Sequence, residues 1–161
     1  MMEPTDEEIG FPRGNSDERE LLLNWLAYLR GAVLRKANGL DDQTARWTPD
    51  GKLLSILGIV NHLTNVEWRW ISGGMQNRPV SKEASEYTSD PELTLASAIQ
   101  AYLRRAENTD SYVRQMALDT PCSFGVDREL RWVLLHLINE TARHAGHADA
   151  TRELLDGTTG E

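Results

Sequence analysis

Residues 127–157, DRELRWVLLHLINETARHAGHADATRELLDG, decide how the whole chain is read. Leu130, Val133, Leu134, Leu137, Thr141, Ala148 and Leu155 recur at intervals of three, four and seven residues, the repeat of one face of an α-helix. The run predicts a helix from about Asp127 to Leu155, closed at Asp156-Gly157, because glycine readily adopts the left-handed conformation that ends helices. A stripe this long cannot be buried by the helix that carries it, so it requires partner helices.

Three such partners are legible upstream. Ser16 or Asp17 caps a helix in which Leu22, Leu26, Leu29 and Val33 recur, stopping near Asn38-Gly39. A second runs from Leu53 or Ser55 to Ser72-Gly73-Gly74 and carries Ile56, Ile59, Val60, Leu63, Val66 and Trp70. The third opens at Ser89-Asp90-Pro91, with proline in the first turn where its missing N–H costs little. Leu95, Ile99, Tyr102, Leu103, Ala106, Val113 and Met116 carry it to about residue 117. Residues 39–52, 73–90 and 119–126 read as connections. Residues 1–15, with two prolines, two glycines and several acids, read as a flexible arm, 16–157 as the helical body and 158–161 as a tail. No run alternates long enough for a strand. The expectation is an all-α four-helix bundle with long connections.

The composition narrows the partners. The 161 residues hold 17 Lys+Arg against 25 Asp+Glu, for a formal charge of −8. That balance argues against nucleic acid, which is bound by clustered cations, and against an anionic membrane surface. No apolar run approaches the ~20 residues of a membrane span. The N-terminus MMEPTDEEIG has no apolar core of a secretory signal. The single cysteine, Cys122, cannot form an internal disulfide, which fits a cytoplasmic location.

Three of the four histidines lie in the last helix. His136, Glu140, His144 and His147 are spaced four, four and three apart. At about 100° per residue they fall in a ribbon roughly 80° wide that flanks the apolar stripe. Glu140 and His144, one turn apart, can offer donors to a single ion. His136 and His147 cannot, being roughly 16 Å apart along the axis at ~1.5 Å per residue. His62, between Ile59 and Val66 at the edge of the second helix's stripe, is the candidate third ligand from a facing helix. Two imidazoles and a carboxylate form a zinc-type set with a fourth position open to water or substrate. By spacing alone, a solvated Glu/His pair and a core histidine account for these residues equally well. Glu67 reads as a buried or interface acid, Trp25, Trp68 and Trp70 as core or interface aromatics, and Trp47 with the 39–52 connection as the mouth of a cleft. Cys122 follows Pro121 in a loop with no base or cation nearby in sequence to activate it.

Two segments carry a resemblance. Glu140-Thr-Ala-Arg-His144-Ala-Gly-His147-Ala-Asp149, continuing to Asp156-Gly157, is similar to the fourth-helix signature of the DinB-like superfamily. More narrowly, it resembles the branch assigned to mycothiol-dependent transferases of actinobacteria. Leu57-Gly-Ile-Val-Asn-His62-Leu-Thr-Asn-Val-Glu67-Trp-Arg-Trp70 resembles that branch's second-helix motif, and the likeness spans about residues 16–157. The resemblance implies a divalent ion held by His62, Glu140 and His144. The carboxylate, where many DinB-like proteins have histidine, makes zinc the default, with nickel, iron or manganese as alternatives. His147 stands where many relatives have glutamine, which implies a pocket or proton-handling role, and His136 is a structural residue or a hydrogen-bond partner at the far wall. Arg143 and Arg152 are candidate binders of an anionic conjugate or acidic substrate, against the plainer reading of solvated pairs with Asp149 or Glu153.

The activity so implied is transfer of a low-molecular-weight thiol, mycothiol or a similar one, to a small electrophile. A divalent cation lowers a bound thiol's pKa without any protein cysteine. Two rivals remain at the level of sequence: a hydrolase using metal-bound water, and a non-enzymatic, dimeric stress-response bundle. A homodimer is compatible with each.

Overall fold

The fold is described from a computed structural model of the chain, which covers residues 10–14, 17–83, 85–88 and 90–160. Residues 1–9 and 15 of the expected arm, Ser16, Ser89 and residue 161 of the expected tail lie outside the described residues. Four long helices account for the body: α1 (Glu18–Ala37), α3 (Ile56–Trp68), α5 (Leu95–Gln115) and α6 (Leu130–Asp156). Two one-turn helices, α2 (Asp42–Ala45) and α4 (Ser85–Thr88), sit in the connections. Among the described residues there is no strand, and a single antiparallel bridge joins Pro121 to Glu129. The fold is an all-α four-helix bundle. Its most extensive contacts run between α1 and α6 and between α3 and α5, with α3 also meeting α6. No described helix is long and apolar enough to cross a membrane.

The long helices start where a short oxygen side chain captures a free amide. Asp17 accepts from the Glu20 amide at 3.2 Å, Ser55 from Gly58 at 3.1 Å and Thr94 from Ser97 at 3.2 Å. The third long helix therefore begins at Leu95, later than the expected opening at Ser89-Asp90-Pro91. Asp90 instead closes its own turn, accepting from the Glu92 amide at 2.9 Å. The Arg46 guanidinium then takes the carbonyls of Asp90 at 2.7 Å and Leu93 at 2.6 Å, fixing the segment outside the helix. The last helix also begins late, at Leu130, because the backbone just before it is committed elsewhere. The Cys122 amide donates to the Arg128 carbonyl and the Leu130 amide to the Thr120 carbonyl, both at 2.9 Å. Its end follows expectation, with Gly157 at φ 75°.

The second long helix does not stop at Trp68. It widens into a π-helical segment, Arg69–Met75, that contains Gly73 and Gly74. A Cβ at Gly73 would lie 2.6 Å from Val80 Cγ2 and 2.7 Å from Phe124 Cζ, so glycine lets two connections close on this segment. Ser123 fastens the second of them, its amide donating to the Gly74 carbonyl at 2.7 Å.

The predicted stripes form the core. Leu26, Val33, Ile59, Val60, Leu63, Tyr102, Leu130, Val133, Leu134 and Leu137 are all buried, whereas Leu103 of the third stripe is exposed. Glu67 is a buried acid, as expected from its position on the helix. Its oxygens accept from Arg30 Nε and Nη2, each at 2.8 Å, and from Thr109 at 2.8 Å, while Arg30 Nη1 reaches Asp110 at 2.9 Å. This network ties α1, α3 and α5 together inside the bundle.

Candidate metal centre

His62 occupies the buried face of α3, one turn from both Ile59 and Val66, and α6 presents Glu140 and His144 to it from across the bundle. Their donor atoms all lie within 4.8 Å of one another, the one such group of three or more His, Cys, Asp or Glu among the described residues. Glu140 Oε2 stands 3.9 Å from His62 Nε2 and 3.8 Å from His144 Nε2. Both separations exceed hydrogen-bond reach. Divalent ions of the zinc class bind nitrogen and carboxylate oxygen at about 2.0–2.2 Å, so donors this far apart can share one ion directly.

The state of His144 supports that reading. Its Nδ1 is buried without a hydrogen-bond partner. Burial, then the neighbouring His62, pushes its pKa down to about 4, against the pull of Glu140. At neutral pH the ring is uncharged, with a nitrogen lone pair available for coordination. Two neutral-capable imidazoles, one carboxylate and an open side suit a divalent cation, and these three side chains could hold one.

The centre forms the floor of a cleft of about 470 Å³. Trp70, Phe124 and His136 line one side, and Arg69, Lys82 and Tyr87 also border it. His136 belongs to an aromatic wall. It stacks on Trp132 with centroids 5.3 Å apart and meets Trp70 at 4.7 Å, and burial lowers its pKa. The Arg128 guanidinium lies over Trp132 at 4.5 Å. His62 makes one short polar contact outside the triad, Nδ1 to Glu86 Oε1 at 2.7 Å, and Arg69 holds both oxygens of that carboxylate.

The structure thus brings His62, Glu140 and His144 together and sets the other anticipated residues apart. The His147 ring lies 6.3 Å from that of His144, with its Nε2 buried and unpartnered, and does not line the cleft. Arg143 is exposed on α6. Arg152 pairs with Asp156 at 2.8 Å and donates to the carbonyls of Lys36 at 2.9 Å and Asn38 at 2.8 Å, closing the end of α1. The cations at the cleft are Arg69 and Lys82, which sequence reasoning missed. Arg69 had a signal, lying seven residues and so two turns beyond His62 on the same face. Lys82 and Glu86 had none, because they belong to an aperiodic connection. Trp47 does not line the cleft; Leu54, just beyond the 39–52 connection, does. Trp70 packs against the core cluster of Leu26, Val66 and Val133, as expected, and its exposed side also forms part of the cleft wall.

Fold and site together define a helical bundle with a His/Glu/His centre open to a cleft. The family model described as Mycothiol-S-transferase matches residues 21–157, and the chain belongs to that family. This is the transferase family that the two helix motifs resemble. Among solved structures, the crystal structure of a conserved protein from Enterococcus faecalis has the same fold, with a TM-score of 0.72 at 14% identity, covering 89% of this chain and 100% of that one. No curated protein matches the chain.

Proposed function

We propose that this protein is a metal-dependent thiol S-transferase that joins a low-molecular-weight thiol to a small electrophile. The observation that supports this best is the convergence of His62, Glu140 and His144 on the floor of an open cleft, in a chain of the mycothiol-S-transferase family. These three residues would hold the ion, for which zinc is the first choice. When bound, such an ion supplies the Lewis acidity that favours the thiolate over the thiol at neutral pH.

The remaining work falls to the chain's own residues. Glu140 contributes a negative charge that moderates the positive charge of the centre. Trp70, Phe124 and His136 give the cleft an apolar wall that excludes water from one side of a bound substrate. Lys82 borders the same space and, together with the bound ion, makes its potential favourable to an anionic electrophile despite the chain's net charge of −8, whereas the charge of Arg69 is committed to Glu86. His147 lies outside the cleft lining, one turn beyond His144 and uncommitted at Nε2, so the proton-handling role proposed for it would act through the neighbouring His144 ring. Cys122 is buried and outside the cleft lining, so the reacting sulfur comes from the substrate.

The test is metal analysis of the purified chain followed by calorimetric titration with mycothiol. The expected result is one divalent ion per chain and saturable thiol binding, both lost in His62→Ala and His144→Ala. A chain without stoichiometric metal, whose thiol binding survives both substitutions, would refute the proposal.

A further inference from the structure

Glu86 lies in the connection whose sequence shows no periodicity, on the one-turn helix α4, yet it is only 4% exposed. Its Oε1 stands 2.7 Å from His62 Nδ1. The Arg69 guanidinium grips the same carboxylate at both oxygens, with Nη2 to Oε1 at 2.8 Å. A carboxylate offers acceptor capacity only, so the proton of the His62–Glu86 bond resides on Nδ1. The lone pair of the neutral ring is then on Nε2, the nitrogen nearest Glu140. Turning the ring over would set a C–H against Glu86 and leave a buried anion short of a donor, which is unfavourable.

Arg69 follows α3 directly, two turns beyond His62. Ligand and anchor therefore ride on one rail, and the carboxylate they share belongs to a separate segment. We propose that Glu86, seated by Arg69, is the positioning residue of the centre. It fixes His62 in the Nδ1–H form with Nε2 presented to the ion. By the same contacts it fastens α4 beside α3, with Lys82 and Tyr87 bordering the cleft. This proposal rests on the reading of His62, Glu140 and His144 as a ligand set. Outer carboxylates that orient a ligating histidine are worth about 10–100-fold in metal affinity.

The test uses the full chain labelled with ¹⁵N-histidine, prepared without metal. Long-range ¹H–¹⁵N correlation should show His62 protonated at Nδ1 and bare at Nε2. In Glu86→Ala and in Glu86→Met, which retains volume if alanine impairs folding, the Nε2–H form should dominate. Zn²⁺ titrated against a competing chelator should bind about 10–100-fold more weakly to both variants. Glu86→Gln, which keeps an acceptor, should retain the Nδ1–H form and intermediate affinity. A His62 spectrum indifferent to Glu86, or zinc affinity unchanged in both the alanine and methionine chains, overturns the proposal. A parent chain that binds no divalent cation removes the ligand-set reading instead, and the metal-free spectrum alone then decides whether Glu86 orients His62.

Discussion

The environment of His144 has a measurable consequence for stability. Its pKa falls from the ordinary 6.5 to about 4 because burial disfavours the imidazolium. In the unfolded chain the same ring takes a proton near the ordinary value. The unfolded state therefore binds more protons between about pH 6.5 and 4, and stability must rise with pH across that window. The contribution is intact above pH 6.5 and lost below pH 4, and amounts to at most about 3 kcal/mol. Urea unfolding of the metal-free chain at pH 7 and pH 4.5 should show the loss, and His144→Gln should flatten that part of the profile. Sequence made His144 a candidate through its one-turn spacing from Glu140, which local helix geometry guarantees. It gave no sign of the depressed pKa, which depends on burial against α3 and on His62 beside it.

At the scale of elements, the π-helical segment Arg69–Met75 does what a regular helix end would not. It sets Arg69 and Trp70 at the cleft and receives two connections on Gly73 and Gly74. A Cβ at Gly73 would fall 2.6 Å from Val80 and 2.7 Å from Phe124, too close for either to stay where it is. Gly73→Ala should destabilise the chain by about 1–3 kcal/mol and displace Phe124 from the cleft wall. Chemical denaturation measures the first effect. The second should appear as altered tryptophan fluorescence, because Phe124 packs on Trp70 with centroids 5.6 Å apart. In the sequence the two glycines read as a helix terminus, a correct reading of glycine's tendency. The widened turn is set by what packs against it. For the same reason, the late starts of α5 and α6 are set by Arg46 and by the Pro121–Glu129 bridge rather than by local propensity.

At the scale of the whole molecule, the described helices are held by apolar stripes and by a buried ionic network away from the cleft. Arg30, Glu67, Thr109 and Asp110 come from three helices, and Arg30 and Glu67 are 5% and 1% exposed. Removing Glu67 takes two of the three hydrogen bonds from the buried Arg30 guanidinium and leaves it only the half-buried Asp110. Glu67→Ala should therefore cost about 3–5 kcal/mol. Adding Arg30→Met should recover much of it, because the under-bonded buried guanidinium is then gone. Equilibrium denaturation of the single and double variants checks both statements. Equal unfolding free energies for the parent and Glu67→Ala chains would show that the network contributes nothing. Glu67 was recognisable as a buried or interface acid from its place on the second helix, but its partners Arg30 and Thr109 are 37 and 42 residues distant in sequence.

What the sequence by itself determined was everything that repeats along one helix. It specified four stripes, hence an all-α bundle, the closing glycine at 157, the pairing of Glu140 with His144 within one turn, and two motifs specific enough to indicate the family. Tertiary structure alone decided which faces meet. It brought His62 to Glu140, folded an aperiodic connection so that Glu86 reaches His62 and Lys82 borders the cleft, and set Arg152 against the end of α1 and His147 outside the cleft lining. The reason is geometric. Within a turn, backbone hydrogen bonds fix the relative positions of side chains, so spacing is enough. Between helices those positions depend on rotation, register and the path of the connections, which emerge only when the whole core packs.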